Sequence, residues 1–192
     1  MLKRKICEKG RSMVEMMGYM AVVMTVIVAI GKIVTNAFDE HKFSQASLQL
    51  GDLAAAVSKA GAVEKDYSSV DFSKVIPSTY RVVGSKIFHV FGGEVTLGTV
   101  SGDKSKFSIA FKGLRRKQCI EMAMKDWRRN QNVDLYSVCV NGACLYWPVY
   151  GYDGGTPKGT LPIKRAMVTG TSESDKGLCS LEINNVVTWV FN

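Results

Sequence analysis

The sequence predicts an α+β fold: a long N-terminal helix packed on an antiparallel β-sheet, with a disulfide-closed C-terminal region. The helix is expected to span a membrane in its first half and to be amphipathic in its second. Three observations carry this expectation. Met16 to Gly31 is sixteen residues without a charge. Phe43, Ala46, Leu50, Leu53, Ala54 and Val57 then recur at i, i+3, i+4 and i+7 spacing, the period of a one-sided helix. Beyond residue 62, short β-rich runs alternate with Gly-containing turn pairs. The 192 residues suffice for one domain and an appendage, and 46% apolar with 22% charged residues excludes general disorder.

The N-terminus is basic and then apolar, the plan of an export signal. Lys3, Arg4, Lys5 and Lys9 face one acid, Glu8. Net charge is +8; without the first ten residues, 21 cations and 16 acids leave +5, so the basic character is partly a leader effect. Met13 to Val34 is about 22 residues, or roughly 33 Å as a helix, against about 30 Å of bilayer core. Lys32 can snorkel to one interface. The leader cations place the N-terminus in the cytoplasm and the later residues outside. No small-x-small cleavage site follows the apolar run, and Gly10 ends the basic leader. Glu15 stands at the rim of the span, where an acid costs up to about 3 kcal/mol, less near the edge than at the centre. If the chain is cut after Gly10, the free amine of Arg11 lies four residues before Glu15, about one helical turn. The alternative is that Glu15 sits in the headgroup region of an ordinary anchor.

The stretch Lys9-Gly10-Arg11-Ser12-Met13-Val14-Glu15-Met16-Met17-Gly18-Tyr19-Met20 resembles the class III prepilin signal of type IV pilins and pseudopilins. In that family a basic leader ends in Gly, cleavage precedes the apolar run, and Glu stands fifth in the mature chain. Gly10 and Glu15 match; Arg11 stands where Phe, Met or Leu is common. A ten-residue leader, leaving 182 of the 192 residues, looks more like the type IVb branch. The resemblance implies a leader over 1–10, a helix over 11–61 with 11–34 as its membrane and assembly part, and a globular α+β head over 62–192. It further implies an inner-membrane protein cleaved between Gly10 and Arg11 by a prepilin peptidase, methylated on Arg11, and passed by an assembly platform into an extracellular filament of identical subunits. Glu15 would set register through a neighbour's terminal amine. No catalysis, cofactor or metal is implied.

The helix is expected from about Ser12 to Ala60, with Gly61 as its stop after Lys59. Gly31 and Gly51 each lower helix stability by about 1 kcal/mol relative to Ala, permitting a bend or close helix contact. Residues 62–78 read as a connecting loop. Strands are expected at Tyr80–Val83, Lys86–Phe91, Glu94–Val100 and Lys106–Phe111, turned by Gly84-Ser85, Gly92-Gly93 and Gly102-Asp103 into a meander. Leu114 to Gln131 reads as a helix whose Ile120, Ala123, Met124 and Trp127 face the core beside Cys119. Its Arg115, Arg116, Lys117, Lys125, Arg128 and Arg129 form either an anionic-surface or DNA patch or a solvated face with ion pairs between subunits. The aromatic, Gly- and Pro-rich stretch 146–157 reads as a loop for adhesion to host surfaces or subunit contact, or as a cap on the core. Val186 to Phe191 is a last strand inside the sheet.

Asn141-Gly142 is the favoured type I′ turn, which sets Cys139 opposite Cys144 in the non-hydrogen-bonded pair, within disulfide range. Cys119 and Cys179 then remain to pair, closing a long loop. Cys119–Cys139 with Cys144–Cys179, and Cys119–Cys144 with Cys139–Cys179, stay open. Cys7 would leave with the leader. His41 and His89 are too far apart for a metal site. Three functions compete: a pilus subunit, a secretion pseudopilin or DNA-uptake minor pilin, and an exported membrane-anchored enzyme. The last needs a catalytic constellation, and nothing in the sequence fixes one around His89.

Overall fold

The structure, a computed structural model, describes residues 8–62, 66–100, 102–125, 127, 134–146, 163–170 and 177–192, with the backbone alone for 8–12 and 145–146. Helix α1 runs Glu8–Gly61. The first of the chain's four prolines is Pro77, so no ring or missing N–H interrupts it. It ends at Gly61, where any Cβ would collide with the Tyr67 ring. The chain divides into two compact units, Met1–His41 and Lys42–Asn192. The second takes in the last turns of α1 because their apolar stripe is core: Ala46, Leu50, Leu53, Ala54 and Val57 are fully buried.

Among its described residues the second unit holds seven strands: β1 (Arg81–Val83), β2 (Lys86–Phe88), β3 (Glu94–Val100), β4 (Asp103–Leu114), β5 (Leu135–Val140), β6 (Ala143–Tyr146) and β7 (Asn185–Phe191). They form one antiparallel sheet in the order β1-β2-β3-β4-β7-β5-β6. Period-two alternation puts three rows on the buried face. Ile87, Val95, Phe111, Val187 and Val140 make one; Ile109, Trp189 and Val138 the next; Phe107, Phe191 and Leu135 the third. The α+β fold is as expected: amphipathic helix turns and sheet share one core. Ring pairs bind it, Phe107 with Phe191 at 5.2 Å and Trp127 with Trp189 at 5.4 Å, each contributing about 1 kcal/mol beyond area.

The differences from expectation are local. β2 stops at Phe88 because His89 to Gly93 makes the turn. β4 is twelve residues long and carries an irregularity at Gly113, whose φ is +75°. The basic helix, α2, is only Arg116–Met124. It stops because Lys125 is extended and Trp127 folds back, its Nε1 donating to the Met122 carbonyl at 3.0 Å. Met122, not Ile120, is fully buried, since Cys119, Met122 and Ala123 make the inward stripe. Ile120 and Met124 are half-buried and, as expected, packed against the core. A short helix α3, Arg165–Thr169, was not expected. Two 3-10 turns, Tyr67–Ser69 and Phe72–Lys74, occupy the connecting loop. Asp66 and Asp71 cap them by accepting from the backbone N–H of Ser68 and Ser73. Asp103 accepts from Ser105 in the same Asp-x-Ser pattern and pairs with Lys106; these partners hold its carboxyl at about 2.

Asn141 and Gly142 both have positive φ, as a type I′ turn requires. Cys139 stands opposite Cys144 and is bonded to it, Cα atoms 3.8 Å apart. Cys119 is bonded to Cys179, sixty residues away. Asn141 also joins the turn to β7: its Oδ1 accepts from Val186 N at 2.8 Å, and its Nδ2 donates to Leu178 O and Asn185 Oδ1. Asn185 is fully buried and donates to Leu114 O and Leu181 O, tying the ends of β4 and β7 to the Cys179 segment.

In the chain-entropy account a sixty-residue closure contributes about 4 kcal/mol and a five-residue closure about 2 kcal/mol. Replacing Cys119 and Cys179 by Ala should therefore lower the denaturant midpoint of the detergent-solubilised chain about twice as far as replacing Cys139 and Cys144. A larger loss from the hairpin pair would contradict the account.

Candidate functional site

The first unit is surface at every side chain described. Every side chain described from Met13 to Lys42 is exposed. Sixteen of them between Met13 and Phe38 are large and apolar, each 45–73% accessible, and they occupy all faces. Bare apolar surface on this scale marks contact with a membrane or another protein. The helix is long and apolar enough to cross a membrane, with a mean hydropathy of 2.1 in its best 18-residue window. Its polar groups fit such surroundings. Thr25 Oγ1 donates to Val22 O at 2.7 Å and Thr35 Oγ1 to Lys32 O at 3.0 Å, so neither hydroxyl needs water. A Cβ added at Gly18 or Gly31 would meet nothing among the described residues, so no packing among them requires those glycines.

The predicted processing residues lie on this helix. Gly10 and Arg11 fall within the helical backbone, and Glu15, one turn on, is exposed. The structure thus sets the three on one element. The four cysteines are two bonded pairs, one bracing the β5–β6 hairpin and one joining α2 to the segment before β7.

The second unit carries a groove of about 820 Å³. Gln45, Leu48, Gln49 and Asp52 of α1 form one wall, and Arg81, Val83 and Phe88 of the β1–β2 hairpin the other. Gln49 anchors it, donating to Thr79 O at 2.7 Å and accepting from Val90 N at 3.0 Å. His89 lies beneath, 3% exposed and stacked on Phe111 at 4.7 Å. Its Nδ1 accepts from Phe91 N at 3.2 Å, and its Nε2 lies 2.9 Å from Lys112 O, which fixes Nε2 as the protonated nitrogen. Both nitrogens are thus engaged by backbone, which suits a structural role rather than proton transfer. Burial pushes its pKa down, against the smaller opposing effect of Lys112 O. Gly93 permits this closeness, since a Cβ there would strike Lys112 O and the His89 ring.

The basic helix is divided. Arg115 and Lys117 are exposed, while Arg116 is half-buried, donating to Thr169 O at 3.0 Å with Glu182 at 3.8 Å. Lys125 lies over the rings of Trp127 and Phe43, and burial lowers its pKa. Arg128 and Arg129 lie outside the described residues, as does most of the aromatic stretch 146–157. Sequence reasoning missed Gln49 and Asn185; the Asn184-Asn185 pair before a β-rich run was the one local signal for the second.

A histidine held neutral in the fold disfavours protonation there, so the unfolded chain binds the proton first. Stability from His89 is whole above about pH 6.5, falls as pH drops below it, and levels once the folded ring protonates. His89→Gln should flatten the change in denaturant midpoint between pH 7.5 and pH 5; an unchanged slope would assign the effect elsewhere. No protein-family model, curated protein or solved structure matches this chain.

Proposed function

We propose that this chain is the structural subunit of a type IV pilus, held in the inner membrane by α1, cleaved between Gly10 and Arg11, and polymerised by packing of α1 against its copies. The observation that carries the reading is the bare apolar girdle of α1 from Met13 to Phe38, with one acid, Glu15, just inside its start. A bilayer covers that girdle before assembly and neighbouring helices cover it after. Met13, Met17, Met20 and Met24 share a face at i, i+4, i+7 and i+11, and their flexible thioethers adapt to helix contacts. The open space at Gly18 and Gly31 admits a close backbone approach.

Glu15 supplies register. A carboxylate enclosed by apolar helices is costly unless a cation meets it. Cleavage creates that cation as the amine of Arg11, in reach of Glu15 of a neighbouring copy. Peptidase processing is therefore the step that makes packing favourable, and the peptidase and the assembly platform are the partners this reading requires. Catalysis by the chain has no part in it.

Two outcomes are expected in cells carrying a prepilin peptidase. The mature chain begins at Arg11 by N-terminal mass spectrometry, bearing a methyl group. Glu15→Ala is inserted and cleaved normally, yet fibre yield by electron microscopy falls at least tenfold, as loss of about 1.4 kcal/mol per contact would give. Unchanged fibre yield, or a chain from native cells that still begins at Met1, would overturn the proposal.

A further inference from the structure

Charge on the second unit is uneven. Around the 3-10 turns and the β1–β4 meander, Asp66, Asp71, Glu94 and Asp103 each have a lysine within 4.0 Å. Around α2, α3 and the segment 177–185 the described residues hold six cations and two acids, Glu121 and Glu182. A disulfide and backbone hydrogen bonds tie this part into one platform. The Cys119–Cys179 bond joins α2 to the segment that follows α3, and Leu178 N and Cys179 N donate to the Met167 and Val168 carbonyls. Arg116 N donates to Glu182 O, which brings Arg115-Arg116-Lys117 beside Leu181-Glu182-Ile183. Arg116 also reaches the end of α3, whose start carries exposed Lys164 and Arg165. Leu181 and Ile183 are 48% and 61% accessible.

We propose that this platform docks on an anionic bilayer surface, Arg115, Lys164 and Arg165 meeting lipid phosphates and Leu181 and Ile183 entering the headgroup boundary. Cations alone would serve any polyanion. The exposed aliphatic pair decides between them, because burial in lipid rewards aliphatic carbon whereas a nucleic-acid backbone does not. No exposed aromatic side chain for base stacking lies among the described residues of the platform. The inference goes beyond the pilus reading and does not depend on it.

The full chain, carried in nanodiscs of zwitterionic lipid, is mixed with vesicles of phosphatidylcholine alone or with phosphatidylglycerol. Co-flotation is expected only with the anionic vesicles, weakening with salt. Arg115→Glu with Lys164→Glu and Arg165→Glu should lower it on the order of tenfold or more. Arg116 is left intact, and the Arg115 backbone N–H still donates to Gln118. Leu181→Ser with Ile183→Ser should lower it as well. Both disulfides, checked by non-reducing peptide mapping, report that each variant is folded. Equal binding to neutral vesicles, or full binding by the charge variant, would overturn the proposal. So would tighter binding of duplex DNA that the Leu181 and Ile183 changes leave untouched, which would make the platform a nucleic-acid surface.

Discussion

Uncovered hydrocarbon is the constraint on which the rest of this molecule turns. Sixteen large apolar side chains ring one helix from Met13 to Phe38, a surface that water disfavours and an apolar medium or a protein partner would cover. The hydroxyls of Thr25 and Thr35, turned back onto the Val22 and Lys32 carbonyls, answer the same demand. Four residues after Lys42 the logic reverses. From Ala46 the helix meets the sheet, one stripe suffices, and Gln45, Gln49 and Asp52 stay polar along the groove. A single helix thus carries two kinds of surface, and the change between them falls a turn past the boundary between the two units.

Much of this was legible because the determining signals are local. The uncharged run, the stripe from Ala46 to Val57 and the turn pairs of the meander each act within a few residues. Asn141-Gly142 is the clearest case: two positive-φ residues fix the hairpin, and the hairpin sets Cys139 against Cys144. The three Asp-x-Ser turns carried an equally local signal in their repeated spelling, Asp66-Tyr67-Ser68, Asp71-Phe72-Ser73 and Asp103-Lys104-Ser105.

What stayed hidden is what distant partners decide. Asn185 reads as the polar start of a strand until Leu114, 71 residues away, supplies a carbonyl to its amide. His89 reads as an ordinary strand residue until Lys112 of β4 arrives beneath it. The end of α2 depends on where the Trp127 ring finds its place against Trp189 rather than on any breaker in the sequence. For the N-terminal motif the situation is inverted. Gly10, Arg11 and Glu15 stand out in the sequence by their spacing, and the structure adds only that they lie on one helix.

The place of β7 has a consequence for how the protein is made. It is the last of the seven strands in sequence order and lies in the interior of the sheet, flanked by β4 on one side and β5 on the other. Until it slots in, two lengths of strand edge face outward with their amides and carbonyls unmatched, a template for cross-pairing between nascent chains. The interval between synthesis of β5 and arrival of β7 is therefore the stage most exposed to aggregation, and a chaperone that shields that gap would raise the yield of folded subunits.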